Sequence, residues 1–235
     1  MFSYFHPVER MKREQSSWKE TGVSAQFFKE LVGRLSPEIH STVSDFEYII
    51  LDLETTGLDS ETDRILSIGW VIMSEGKVDL ANAVHFYINQ ESLVKPETAV
   101  INHITPQMLT EGISIHDAMR TFFEAAMDKV IIAHGCVVET RFLQQYLKEH
   151  YHLNELPLWW LDTMCIEKNM AKARQQHQDI DVTLAGSRER HGLPEYAGHN
   201  ALIDAVATAE LFMAQCKRLE PKQDVEFGYL YKLSQ

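Results

Sequence analysis

Cysteine is scarce in this chain: Cys136, Cys165 and Cys216 are the only three among 235 residues. The number is odd, the positions are far apart and no CxxC pair occurs. That pattern excludes a disulfide framework and argues against a zinc site, so a reducing cytoplasm is the expected compartment. There is no run of about 18 apolar residues, so no membrane span is expected. The opening Met1-Phe2-Ser3-Tyr4-Phe5-His6-Pro7 has neither an apolar signal core nor a small-residue cleavage site. Low-complexity tracts and internal repeats are missing too. Positive charge is in short supply: 22 Lys and Arg face 34 Asp and Glu, a net charge of −12. Neutralising phosphates needs a basic surface, which argues against a nonspecific nucleic-acid coat. It does not exclude a nuclease that holds its substrate through divalent cations, because bound ions reverse the local sign of an acidic pocket.

What is present fits one ordinary α/β domain with an extension. Apolar residues make up 45% of the chain and charged residues 24%, and four Trp, eight Tyr and eleven Phe supply large core side chains. Residues 1–43 read as an N-terminal helical extension, 44–218 as the main domain and 219–235 as a short C-terminal tail. The extension carries six Lys/Arg and five Asp/Glu, so nearly all the excess acid lies beyond it. Val23 to Leu35 has helical spacing, with Phe27, Phe28, Leu31, Val32 and Leu35 on one stripe, and Ser36-Pro37 ends it. That helix either packs on the main domain or binds a protein partner.

In the main domain, Tyr48 to Glu54 is an apolar run ending in acids, which reads as a central strand buried on both faces. Ile65–Met73 and Val78–Ile88 read as a second and third strand joined by a hairpin-like link, Ser74 to Lys77. Ile115 to Ala126 has helical spacing, Val130–Ala133 is a short buried strand, and Val138–Lys148 is a helix. Trp159-Trp160-Leu161 reads as a further short strand, and Asp162 caps the helix after it. Asn200 to Lys217 is the last helix. Three adjacent strands followed by alternating helices and strands indicate a mixed sheet covered by helices.

Several residues could carry chemistry. Asp52 and Glu54 are two apart on a strand and so share a face. Two carboxylates on one face at the end of an apolar strand repel each other, and a hard divalent cation relieves that cost. The other reading is a solvated strand end. Thr55 and Thr56 offer hydroxyl and amide donors. Gly57 permits positive φ and close backbone approach to a ligand, or makes an ordinary turn. In Gly198-His199-Asn200-Ala201-Leu202-Ile203-Asp204, His199 sits at the helix entrance, where it could exchange protons near neutral pH. Asp204 lies one turn on, off the apolar stripe. Glu139 shares a helix face with Leu143 and Tyr146. An acid there needs a partner or an ion, or else serves the helix dipole.

Together these segments resemble a known pattern. Asp52-Leu53-Glu54-Thr55-Thr56-Gly57-Leu58 is similar to the first motif of the DnaQ-like (DEDDh) exonucleases, with D-x-E-T-T-G intact. Ala133 to Leu143 resembles the second motif, and His199 to Asp204 the third, H-x4-D. The resemblance covers roughly residues 46–217. It implies an α/β, ribonuclease-H-like mixed β-sheet flanked by helices, with two divalent metal ions, Mg²⁺ or Mn²⁺. It also implies roles: Asp52 as the ligand shared by both ions, Glu54 and Asp204 as ligands of one, the second-motif acid Glu139 supporting the other, and His199 as general base. Thr55, Thr56, Gly57, Leu58 and His103 would contact the substrate. His103 lies in the H-x-I-T segment His103-Ile104-Thr105. A structural role stays open for His103 and for His85, whose His-Phe-Tyr-Ile strand end also has family counterparts. Three positions depart from the pattern: Glu139 stands for the usual Asp, Gly135 for Asn and Val138 for Phe.

The implied activity is 3′→5′ hydrolysis of terminal phosphodiesters to nucleoside 5′-monophosphates, on DNA 3′ ends, single-stranded, in preference to RNA. The alternatives are a 3′→5′ exoribonuclease and a weakened relative that binds nucleic acid without turnover. Only Leu219 to Gln235 follows the last helix, which favours a free-standing nuclease over a polymerase subunit. Oligomeric state is open.

Overall fold

A computed structural model of the chain describes residues 3–19, 24–89, 104–173 and 180–235. Five strands form one sheet in the order β3-β2-β1-β4-β5: β1 Glu47–Thr55, β2 Ile65–Ser74, β3 Lys77–Tyr87, β4 Lys129–Ala133 and β5 Trp160–Asp162. The first three are antiparallel, while β4 and β5 run parallel to β1. The β2–β3 link needs two left-handed residues, and Glu75 (φ 51°) and Gly76 (φ 68°) supply them. As its apolar run indicates, β1 is central, and Tyr48 to Leu51 are buried.

Helices cover both faces. Ile49, Leu51 and Trp70 face a core that takes in α4 Ile115–Ala125 and α5 Val137–Tyr151. Tyr48, Ile50 and Val71 face a second core that takes in α6 Thr163–Ala173 and α8 Ala201–Leu219. The short α3 Pro106–Thr110 and α7 Leu184–Arg190 complete the central part of the chain.

Both chain ends fold onto this body. The extension holds α1 Pro7–Ser17 and α2 Ala25–Gly33. Phe28, Leu31 and Val32 of α2 are buried in the first core and Phe27 packs against it half-buried, so this stripe lies on the chain's own domain. Residues 219–235 are more than a tail. They form α9 Phe227–Leu233, whose Phe227, Leu230 and Tyr231 are buried in the second core beside Val8 of α1. Tail and extension meet there, a contact between distant segments that local periodicity does not encode. Among the described residues, no helix is long and apolar enough to cross a membrane. All three cysteines are free thiols.

Candidate metal-dependent active site

The carboxylates gather where β1 ends. One oxygen each from Asp52, Glu54 and Asp204 lies within 4.8 Å of the others. Strand alternation puts Asp52 and Glu54 on one face. A register shift between Glu54 and Thr55 ends the regular ladder with β2 at that point, a device common beside active sites. Asp204 arrives from the first turn of α8.

That helix can reach the sheet because of Gly69. Gly69 pairs with Asp52 across the ladder. A Cβ there would strike the backbone of Ala201 and Leu202. The glycine therefore lets the start of α8 lie directly on the strand. A glycine inside an otherwise buried, largely apolar strand is a readable sign of such an approach, and it is the site feature that motif reading passed over.

The electrostatics are those of a crowded acidic pocket. Burial, then the charges of Glu139, Asp204 and Glu54, push the Asp52 carboxyl well above the usual carboxylate range. Burial and Asp204 push Glu54 up to about 7. Burial also raises Asp204, against hydrogen bonds donated by the Asn200 and His199 amides. Each shift states that negative charge here is unfavourable until a cation arrives.

Glu139 is only 4% exposed. Its Oε2 has no hydrogen-bond partner, and burial raises its carboxyl. It lies outside the tight group of three, and its charge is among those that raise Asp52. The start of its helix is fixed by Asp162. Oδ1 accepts from the amides of Gly135 (3.0 Å), Met164 (2.8 Å) and Cys165 (3.2 Å), and Oδ2 from Cys136 (3.0 Å). The expected cap on α6 is there, and the same carboxylate also ties down the turn before α5. Gly135 has φ 82°, a left-handed conformation in which a glycine is at home.

His199 is exposed at the entrance to α8 and has φ 65°. Its amide donates to Asp204 Oδ2 at 2.8 Å, and the Asn200 amide to the same oxygen at 3.3 Å. Asn200 caps the helix through Oδ1, which accepts from Ile203 N–H.

Of the two readings of the turn after β1, the structure shows the ordinary turn. Gly57 is not in the left-handed region. Its missing side chain instead leaves room for the Asp63 carboxylate. The Thr55 hydroxyl donates to the Gly57 carbonyl (2.6 Å) and the Thr56 hydroxyl to Asp63 (2.9 Å), so both hold the turn. Leu58 projects into solvent, 72% exposed. His85 pairs with Gly69 from β3, with its Nε2 buried and unpartnered. His103 lies outside the described residues.

A mixed sheet in this strand order, with carboxylates collected at the end of its central strand, defines a ribonuclease-H-like nuclease domain. The exonuclease family model, RNase_T, matches residues 49–212, and the chain belongs to that family. It is 32% identical over 203 residues to a PolC-type DNA polymerase III of Thermotoga maritima, covering 83% of this chain and 14% of that protein. It is 25% identical over 187 residues to the 3′-5′ exonuclease DinG of Staphylococcus saprophyticus, covering 80% of this chain and 20% of that one. The chain thus spans a small part of the length of these relatives. Exonuclease I of E. coli, zinc-bound and in complex with single-stranded DNA, shares the fold with TM-score 0.63 and 16% identity, over 80% of this chain and 43% of that chain.

Proposed function

We propose that this chain is a metal-dependent 3′→5′ exonuclease that hydrolyses the terminal phosphodiester of single-stranded DNA and releases nucleoside 5′-monophosphates. One observation carries the reading: carboxylate oxygens of Asp52, Glu54 and Asp204 meet within 4.8 Å of one another. Three acids that close repel one another unless a cation lies among them. The buried, unpartnered Oε2 of Glu139 supports that residue as a fourth donor. Hard oxygen donors of this kind suit Mg²⁺ or Mn²⁺. Asp52, Glu54, Glu139 and Asp204 would hold two such ions, with Asp52 shared. When bound, the ions neutralise and polarise the scissile phosphate.

The chain's own residues do the rest. His199, exposed at the mouth of the site and tied through its amide to Asp204, takes the proton of the attacking water. Leu58, exposed just past the site, offers an apolar face to the terminal base. Thr55, Thr56 and Gly57 shape the turn that presents it. His103 is assigned to substrate contact on the motif resemblance alone. The name of the staphylococcal relative and the single-stranded DNA held by exonuclease I support this polarity and substrate. We place the protein in the cytoplasm.

The test is a gel assay with 3′-labelled and 5′-labelled DNA and RNA strands of one sequence, in Mg²⁺, Mn²⁺ or EDTA. Loss of 3′ label as mononucleotide, from DNA and only with metal, is expected. Faster RNA cleavage would move the reading to an exoribonuclease, since only 2′-OH contacts separate the two. Binding without cleavage would make the chain a nucleic-acid-binding relative.

A further inference from the structure

The segment leading to His199 is fastened to the domain by one buried cation. Arg188 of α7 is 3% exposed. Its guanidinium donates to the carbonyls of Pro194 (2.8 Å) and Ala207 (2.6 Å) and to Glu210 Oε2 (2.8 Å). It also lies over the Tyr196 ring, 4.5 Å from the centroid. Tyr196 in turn donates its hydroxyl to Glu210 Oε1 at 2.9 Å. Residues 194 to 199 are otherwise exposed to solvent. The segment is therefore held at two places. Arg188 and Glu210 grip residues 194 and 196, and Asp204 accepts from the amides of residues 199 and 200.

Between those holds, His199 adopts φ 65°. Residues with side chains visit that region uncommonly, histidine more often than most, as at His152 (φ 57°), and the two holds fix the backbone on either side of His199. A general base also works only within hydrogen-bond reach of its proton. An exposed loop with free ends would not keep an imidazole there.

We infer that Arg188, Glu210 and Tyr196 form a clamp whose task is to position the His199 imidazole for proton transfer. All three are positioning residues, acting on the reaction through His199. The inference rests on the reading of His199 as general base.

The test is a double-mutant cycle on the full chain with single-stranded DNA and Mg²⁺. Tyr196→Ala and Tyr196→Phe are made in the parent and in His199→Ala, and kcat, KM and melting temperature are measured for each. Tyr196 is partly exposed, so its variants should fold. In the parent background, Tyr196→Ala should lower kcat by about tenfold or more, the scale of a displaced catalytic group, with KM nearly unchanged. Tyr196→Phe keeps the ring under Arg188 and should retain part of that loss. In His199→Ala, Tyr196→Ala should cost almost nothing further. An equal cost in both backgrounds, or an effect confined to KM, overturns the clamp while leaving His199 as base. A His199→Ala enzyme that turns over at the parent rate instead removes the base, and the clamp's purpose with it.

Discussion

Gly69 faces Asp52 across the β1–β2 ladder, and the backbone of Ala201 and Leu202 fills the space that a side chain at Gly69 would occupy. This contact brings Asp204, three residues into α8 from Ala201, to the strand that carries Asp52 and Glu54. Gly69→Ala should therefore act on the site from beneath. The methyl group must displace helix backbone, which cannot yield as a flexible side-chain end can. A stability loss of about 1–3 kcal/mol is expected, the usual cost of overpacking. The larger effect should be on turnover, because the helix start moves and Asp204 moves with it. Thermal melting and kcat, measured together, check this. A variant that melts lower yet cleaves at the parent rate would show that the contact serves stability alone.

Asp52→Asn should abolish cleavage while leaving the fold intact. Asp52 is raised by burial and by three neighbouring acids, so without metal it is a burden on the folded state. In EDTA the variant should melt at or above the parent temperature. Adding Mg²⁺ should raise the melting temperature of the parent more than that of the variant, because ligand binding stabilises only the form that binds. Full activity of the parent in excess EDTA would end the metal-dependent reading.

Much of this arrangement was legible in the sequence because it is local. Asp52 and Glu54 share a face by strand alternation, and Glu139 points inward by helical spacing. The mixed sheet covered by helices also followed from the succession of elements, while its strand order came only with the structure. The unread parts depend on long-range contacts. Nothing near Arg188 announces that its guanidinium will reach Pro194, Tyr196 and Glu210. The helices α1 and α9 are short, and their burial comes from meeting each other and the second core. That the hydroxyls of Thr55 and Thr56 bond to Gly57 and Asp63 within the turn is likewise not visible in the motif itself.

Acid should weaken the fold through Glu167. Burial alone would raise its carboxyl, but hydrogen bonds from His191, Gln215 and Arg190 outweigh burial and hold it down at about 2. The partners lie at 2.9, 3.0 and 3.1 Å. The folded state binds the proton less tightly than the unfolded chain, whose glutamates titrate near ~4.3. The stabilisation is thus complete above that value and is lost as pH falls through about 2. Glu167→Gln should lower stability at neutral pH and flatten the decline in acid. Denaturant melts from pH 7 to pH 2 measure both, and an unchanged acid limb in the variant would remove Glu167 as its source.

Glu139 is the exposed point of the site assignment, because it replaces the aspartate usual at that position. Its side chain is buried, its Oε2 has no partner, and burial raises its carboxyl. A buried acid in that state is destabilising unless something binds it. The start of α5 cannot retreat to accommodate the longer side chain, since Asp162 grips the amides of Gly135 and Cys136. Gly135 and Val138 are smaller than the Asn and Phe of the motif they resemble, although the Met164 side chain already lies where a side chain at Gly135 would start. Glu139→Gln should therefore slow cleavage by at least about tenfold, or ~1.4 kcal/mol of transition-state stabilisation. In EDTA the same variant should be more stable than the parent, because a neutral amide replaces an unpaired buried carboxyl. Glu139→Asp should keep part of the activity, as the shorter side chain sits in a space shaped for the longer one. Single-turnover cleavage of a short DNA strand by the three proteins, at equal Mg²⁺, decides the matter. If Glu139→Gln cleaves as fast as the parent, Glu139 is no ligand, and its burial without a partner has no functional account.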